Sequence, residues 1–341
     1  MGEICAFAGD TAAADPLLRE ALTLSERVHG ERNAHTVFPR LSLARHLSWS
    51  GRAAEARVAA ERALADAENA SGRGEPFQLP EVYRLVDEAY STVGDVLACR
   101  DLVNKAFAGG GSAVRDSFQY ADLLIERVRV ATAEGEFALA QASIEQASSM
   151  ADRIGMGPQT LIRLVIDLAD AELSLASGDG VGALRRLDAL AARAESHGHR
   201  LALSMLRADA LGSMGRTECA RQLIEAAHAE VERVPESERT IESEAPVQLA
   251  WGRLRSAAGD DLGALPALQR SAALYQQIHV PLSPKRLIAE VALAACRARL
   301  GQMDEARPAL VAAEAALVKL GSLGGPLRAE VLVLRETLDG R

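Results

Sequence analysis

Three things are scarce in this chain of 341 residues: aromatic side chains, at 4%, alternating runs of Val and Ile, and clustered basic charge. The first two remove the material from which strands are made, because sheets draw on β-branched and aromatic residues at a period of two. The third argues against a nucleic-acid partner. A protein that grips phosphates normally shows a basic face or stripe; here Asp and Glu outnumber Lys and Arg by 47 to 38, the formal net charge is −9, and the run from Glu225 to Glu244 is notably acidic. Long apolar runs are also missing. No stretch approaches the roughly 20 residues needed to cross a bilayer, and the start, MGEICAFAGD, has neither the basic entry nor the apolar core of a signal peptide. With four scattered cysteines, Cys5, Cys99, Cys219 and Cys296, each inside a helical pattern, the composition fits reduced, cytoplasmic usage with Cys as a small core residue.

Catalytic signatures are missing as well. There is no phosphate-binding Gly-rich loop before Lys-Ser or Lys-Thr, no GxSxG elbow and no HExxH. His197-Gly-His199 could ligate a metal, but no third ligand follows at a fitting spacing, and the context reads as a solvated turn. The expectation is a chain with no cofactor and no metal that is not an enzyme.

What the sequence does have is a period. Gly recurs at 9, 51, 94, 135, 178, 215, 259 and 301, with spacings of 42, 43, 41, 43, 37, 44 and 42. Each is followed by a polar residue: Asp10, Arg52, Asp95, Glu136, Asp179, Arg216, Asp260 and Gln302. Five residues on stands a small one: Ala14, Ala56, Cys99, Ala140, Ala183, Ala220, Ala264 and Ala306. Nine on stands an aliphatic residue, from Leu18 to Leu310. This predicts a helix–turn–helix in every repeat. Gly ends the first helix in the left-handed conformation it tolerates best, and the polar residue starts the second. The small residue lies where the two helices cross. Pro16, Pro266 and Pro308, seven residues after their glycines, are expected in the first turn of the second helix. A hairpin of this kind leaves an apolar face that only the next hairpin can cover.

Gly, small residue at plus five, aliphatic at plus nine and Ala near plus twelve (Ala21, Ala63, Ala106, Ala147, Ala227, Ala313) resemble the tetratricopeptide repeat, lengthened from 34 residues to about 42. The stretch Ala14-Asp-Pro16-Leu-Leu-Arg-Glu-Ala-Leu, with Glu26-Arg-Val-His-Gly30 and His35-Thr36, is similar to the kinesin-light-chain variety. Leu249-Ala-Trp-Gly-Arg-Leu-Arg with Gly259-Asp is similar to the sensor solenoids of bacterial signal-transducing regulators. The implied fold is all-α: a right-handed superhelical solenoid of about eight repeats forming one domain over 1–341. The first repeat is N-terminally incomplete, and an amphipathic helix over 326–338 caps the end. The implied function is a protein- or peptide-binding scaffold or sensor in a bacterial signalling or regulatory protein. The alternative is a small-molecule or peptide-pheromone receptor controlling an effector, a kinase or transcription regulator, carried upstream. The partner and the oligomeric state are not specified by these features.

Connections are expected over Asn69–Pro80, Ala108–Asp116, Gly155–Gln159, Val234–Pro246 and His279–Pro284. The fifth turn, Gly178-Asp-Gly180-Val-Gly182, is the richest in glycine and reads as either a soft joint or a tight turn. Six residues before the glycines stand Glu3, Arg45, Glu88, Arg129, Glu172, Asp209, Arg253 and Ala295. In tetratricopeptide solenoids this position faces the concave groove. The sign alternates over the first five, and adjacent repeats lie about 10 Å apart. Two readings follow: a self-satisfied charge ladder, or a polar groove floor whose Arg residues meet acidic groups of a partner. Phe7 and Trp49 stand two before their glycines, and Tyr83, Arg84 and Tyr90 lie on the next first helix; Tyr83 and Tyr90 also read as inter-helix packing. Trp, Tyr and Arg are the residues that dominate interface energetics. The candidate partner-binding residues are therefore Arg45, Trp49, Arg84, Glu88, Arg129 and Glu172.

Overall fold

The computed structural model describes residues 1–7, 10–74, 78–108, 119–191, 193 and 197–339, leaving aside the side chains of 7, 197–199, 237 and 326. Among the described residues there are seventeen α-helices and no strand. They pair as hairpins: α1 Gly2–Phe7 with α2 Thr11–His29, α3 Ala34–Trp49 with α4 Ala53–Gly72, α5 Leu79–Thr92 with α6 Val96–Ala108, and α7 Gln119–Glu134 with α8 Phe137–Arg153. Then follow α9 Leu161–Ala176 with α10 Gly180–Ala191, α11 His197–Ser213 with α12 Thr217–Arg233, α13 Ile241–Ala257 with α14 Asp261–Ile278, and α15 Pro284–Arg299 with α16 Met303–Leu320. The last helix is α17, Gly325–Asp339. The helices divide into two compact units. The N-terminal unit holds residues 1–126 and 278–283, and the C-terminal unit holds 127–277 and 284–341.

The turns follow the sequence pattern closely. Seven of the eight repeat glycines, from Gly51 to Gly301, have φ between 67° and 87°; Gly9 lies outside the described residues. In all eight turns, the N–H of the residue after the glycine donates to the carbonyl four residues before it, at 2.8–3.0 Å. This is the Schellman closure, which satisfies a carbonyl the ending helix would otherwise leave bare. The carbonyl of that same residue accepts from the small residue four further on, at 2.9–3.3 Å, and so begins the second helix. Where the polar residue is Asp, its side chain caps the helix too: Asp10, Asp95, Asp179 and Asp260 accept from the amides of Ala13, Ala98, Gly182 and Gly263 at 2.8–3.1 Å. Such caps are worth about 0.5–2 kcal/mol each.

The crossing residues are buried in every repeat, Ala14, Ala56, Ala140, Ala183, Ala264 and Ala306 completely. The plus-twelve Ala residues are buried as well, except Ala21, which is exposed. In the N-terminal unit these crossings feed a core of Leu41, Val86, Ala89 and Leu102. At the other end, α17 buries Leu327, Val331 and Leu334 against α15 and α16, as the amphipathic pattern over 326–338 predicts.

Three expectations need correction. Pro16, Pro266 and Pro308 occupy the sixth residue of α2, α14 and α16, beyond the first turn. Pro39 and Pro246 hold the same place in α3 and α13. Each therefore removes one intrahelical bond, and the nearby helix start tolerates the loss because only one short turn precedes it. The connections are shorter than Asn69–Pro80 and Val234–Pro246: α4 runs to Gly72, and α13 starts at Ile241 with Thr240 accepting from the Ser243 amide at 3.3 Å. His197 and His199 stand in the first turn of α11, not in a loop. Most of Ala108–Asp116 lies outside the described residues. The fifth turn is tight. Gly178 closes it, and a Cβ at Gly180 would lie 2.7 Å from Ser213 Oγ, so α10 and α11 approach too closely there for a side chain.

One glycine is fixed by a neighbour as well as by its dihedrals. In the N-terminal unit, Val280 N–H donates to the Val93 carbonyl at 2.9 Å. A Cβ at Gly94 would stand 2.5 Å from Ser283 Oγ, itself held by His279 Nδ1 at 2.8 Å. Gly301, by contrast, has open space around it. Gly301→Ala is expected to cost about 1–2 kcal/mol from the left-handed backbone alone, and Gly94→Ala measurably more. Equal losses in a denaturant melt would show that the Ser283 contact constrains nothing. In the same assay Ala140→Leu, and to a lesser degree Ala220→Leu, should lose about 1–3 kcal/mol by overpacking the crossing.

Candidate functional site

The six sequence-predicted residues fall into two groups. Arg45, Trp49, Arg84 and Glu88 belong to the N-terminal unit, and Arg129 and Glu172 to the C-terminal unit.

In the N-terminal unit the four residues do meet. Arg45 on α3 ion-pairs with Glu88 on α5 at 3.0 Å, and its guanidinium lies 4.9 Å from the centre of the Trp49 ring, one helical turn away. Glu88 also receives Arg84 at 3.4 Å, and Arg84 is held more closely by Glu81 at 2.7 Å. This is one rung of the alternating ladder, formed between adjacent repeats. The next rung is not formed, since Glu3 accepts from Ser42 at 2.5 Å instead. The Arg45 side chain keeps only 15% exposure. Arg45 is therefore engaged within its own unit, with little surface left to present. Tyr83 and Tyr90 are buried, and the Tyr83 hydroxyl donates to Glu68 at 2.9 Å, so both serve packing. Phe7 lies outside the described side chains.

The same helix α3 makes a more deeply buried ion pair, which the sequence pattern did not mark. Arg40 is almost fully buried and reaches Asp66 at 2.5 Å, Glu26 at 2.8 Å and the Glu31 carbonyl at 2.9 Å. A buried guanidinium with this many acceptors is satisfied. Asp87, Cys99 and Glu126 are also buried, with ligand atoms within 4.8 Å of one another. Burial first, then the nearby Glu126, pushes the Cys99 thiol well up, so it stays protonated and bonds to Glu126.

In the C-terminal unit, Arg129 on α7 and Glu172 on α9 line one hollow of about 710 Å³. Thr132 and Phe137 contribute from the same hairpin, and Lys285 and Ser322 come from the end of the chain. Ser322 donates to Glu134 at 3.2 Å, which ties the turn before α17 to the end of α7. Arg129 is exposed in the hollow and Glu172 half-buried. Sequence spacing could not find Lys285 and Ser322, because they reach the hollow through the closure of the C-terminal unit rather than through the repeat pattern.

Two more of the charged positions six residues before a turn glycine behave differently in this unit. Arg253 on α13 pairs with Glu330 on α17 at 2.7 Å. Asp209 on α11 has no hydrogen bond or ion pair among the described residues. It is open to water yet crowded by surrounding protein. That crowding pushes its carboxyl above the usual carboxylate range, with the Arg253 charge opposing. In the same unit, Leu161, Leu164, Val165 and Leu168 of α9 and Ala202 and Leu203 of α11 frame a small apolar recess.

The raised Asp209 value has a sign that can be tested. The folded protein binds this proton more tightly than the unfolded chain, so ionised Asp209 costs stability at neutral pH. The cost disappears as pH falls below the ordinary carboxylate range. Asp209→Asn is expected to raise Tm near pH 7, with the difference vanishing by about pH 3. A lower Tm at neutral pH would mean that Asp209 has a stabilising partner.

No family model and no curated protein sequence matches the chain. Among solved structures, a Rap protein complexed with competence and sporulation factor aligns with a TM-score of 0.55 at 14% identity, over 90% of this chain and 86% of that one. NprR in complex with its cognate peptide NprX aligns at 0.53 and 15%, over 89% and 84%. A tetratricopeptide repeat protein from Parabacteroides merdae aligns at 0.54 and 15%, over 81% and 94%. At these identities the likeness shows the fold, an all-α solenoid of tetratricopeptide-type repeats.

Proposed function

We propose that the chain is a binding module, a scaffold or sensor that takes a protein or peptide into the hollow of its C-terminal unit, and that it serves a bacterial signalling or regulatory protein. The observation that carries this reading is the hollow itself. It is about 710 Å³ in size, it is open, and Arg129 and Glu172 from adjacent repeats line it together with Lys285. A site of mixed charge and open form suits the backbone and side chains of a peptide better than a small apolar ligand. The fold likeness to NprR, solved with a peptide, and to a Rap protein, solved with competence and sporulation factor, supports the same reading. Catalysis has no part in it, and neither does a cofactor. Within the proposal the Arg45–Glu88 rung is a structural element of the N-terminal unit, and Arg129 and Glu172 are contact residues.

Capture from a pool of random short peptides on the immobilised full chain tests this. The Arg129→Ala, Glu172→Ala double variant should change stability by no more than about 1 kcal/mol, since Arg129 is exposed and Glu172 only half-buried. It should lose roughly five- to thirtyfold in peptide recovery if these residues are hot spots. Arg45→Ala should show the reverse balance, with a lower melting temperature and unchanged recovery. Unchanged recovery with the double variant would remove the hollow as the site.

A further inference from the structure

Three buried positions of the N-terminal unit break the repeat pattern together. Seven residues before the turn glycine stands Gly, Ala or Val in every repeat except the third, which has Asp87. Five residues after it stands Ala in every repeat except the third, which has Cys99. Nine residues before it, in the repeats long enough to have the position, stands Ser, Leu or Ala except ahead of Gly135, where it is Glu126. Places that otherwise take a small or apolar side chain thus hold two carboxyls and a thiol, and they do so in two adjacent repeats.

The three come from different helices, Asp87 from α5, Cys99 from α6 and Glu126 from α7, and they converge. Each offers one ligand atom, two carboxylate oxygens and a sulfur, all within 4.8 Å of one another. Asp87 is 9% exposed, Cys99 2% and Glu126 5%. The Cys99 thiol donates to Glu126, and Asp87 has contacts of its own. Asp87 Oδ1, closed off from solvent, nevertheless accepts no hydrogen bond. An acceptor oxygen withdrawn from water without a donor costs free energy, and the Ala that four other repeats carry at this place would avoid the cost. A cation held among the three groups offsets it for all of them at once.

We infer that Asp87, Cys99 and Glu126 form a site for one divalent transition-metal ion of the zinc class, which ties α5, α6 and α7 together inside the N-terminal unit. Bond lengths of about 2.0–2.3 Å in a tetrahedral site set ligand atoms roughly 3.3–3.7 Å apart. The widest pair therefore draws in by about 1 Å, within the reach of side-chain torsions. On binding, Cys99 releases its proton to solvent and coordinates as the thiolate, and a water takes the fourth position. Mixed oxygen and sulfur donors suit zinc better than magnesium or calcium, which take oxygen alone. The site is separate from the hollow of the C-terminal unit and does not depend on the peptide-binding reading.

The full chain tests this when it is produced in medium supplemented with Co2+ or Zn2+, so that the metal is present as it folds, and then desalted under a thiol-free reductant. Bound cobalt should approach one equivalent per chain and show the near-ultraviolet charge-transfer absorption of a thiolate–cobalt bond, and added zinc should displace it. Cys99→Ala restores the residue of the other repeats; it should fold and lose that absorption. Its zinc affinity, measured by competition with a chromophoric chelator, should fall at least tenfold, since losing even an outer-shell partner costs about 10–100-fold. Asp87→Ala, also a residue that other repeats use, should show the same fall. Zinc should raise the Tm of the wild-type chain and leave that of either variant unchanged. A wild-type chain without stoichiometric cobalt, or without the thiolate absorption, overturns the inference. The same absorption in Cys99→Ala overturns it too, assigning the metal to Cys5, Cys219 or Cys296, and so does an undiminished zinc affinity in Asp87→Ala. None of these outcomes touches peptide capture by the hollow, which is decided by its own experiment.

Discussion

Each repeat of this protein depends on one close crossing, where the residue five after the turn glycine lies against the preceding helix. A side chain larger than Ala or Cys there would hold the two backbones apart, and the Schellman closure four residues earlier could not form in the same geometry. The two are coupled through one residue. The polar residue after the glycine donates its N–H to the ending helix and offers its carbonyl to the crossing residue. The left-handed glycine makes that double role possible, since it turns the chain within a single residue. The apolar faces that build each unit's core are aligned only after this joint is set.

That joint is why so much of the fold was legible in the sequence. Its requirements are local: positive φ, a helix start and a small side chain, each narrowing the choice of residue at a fixed offset. The helices, their turns and the C-terminal α17 all follow. The proline positions were misplaced by one helical turn because spacing from the glycine says where a helix starts only if the turn length is known, and the Schellman turn is shorter than assumed. The division of the chain into two units left no mark, because no linker separates them; the boundary falls inside the continuous helix α7. The role of Gly94 was equally hidden, since the residues that crowd it, His279 and Ser283, lie far along the chain.

The candidate site divides along the same line between local and distant information. Spacing put Arg45 and Glu88 in register on adjacent repeats, and they pair; it put Arg129 and Glu172 on adjacent repeats, and they line one hollow. It could not say which charges are satisfied. Arg45 stacks on Trp49 within its own helix, whereas Arg253 is neutralised by Glu330 on the terminal helix, a partner outside the repeat pattern. Lys285 and Ser322 were invisible for the same reason.

A charge ladder and a binding surface need not compete for the same residues, because they make opposite demands on solvation. A rung such as Arg45–Glu88 holds its two half-buried charges in contact at 3.0 Å, and turning either one outward would leave the other partly desolvated without its partner. A binding residue must keep its charge uncompensated in the free protein, and that has a cost when the surroundings are crowded. Asp209 shows the cost, since crowding raises its proton affinity and Arg253, already paired, offsets only part of it. Stability alone would favour Asn, or a basic neighbour at that place.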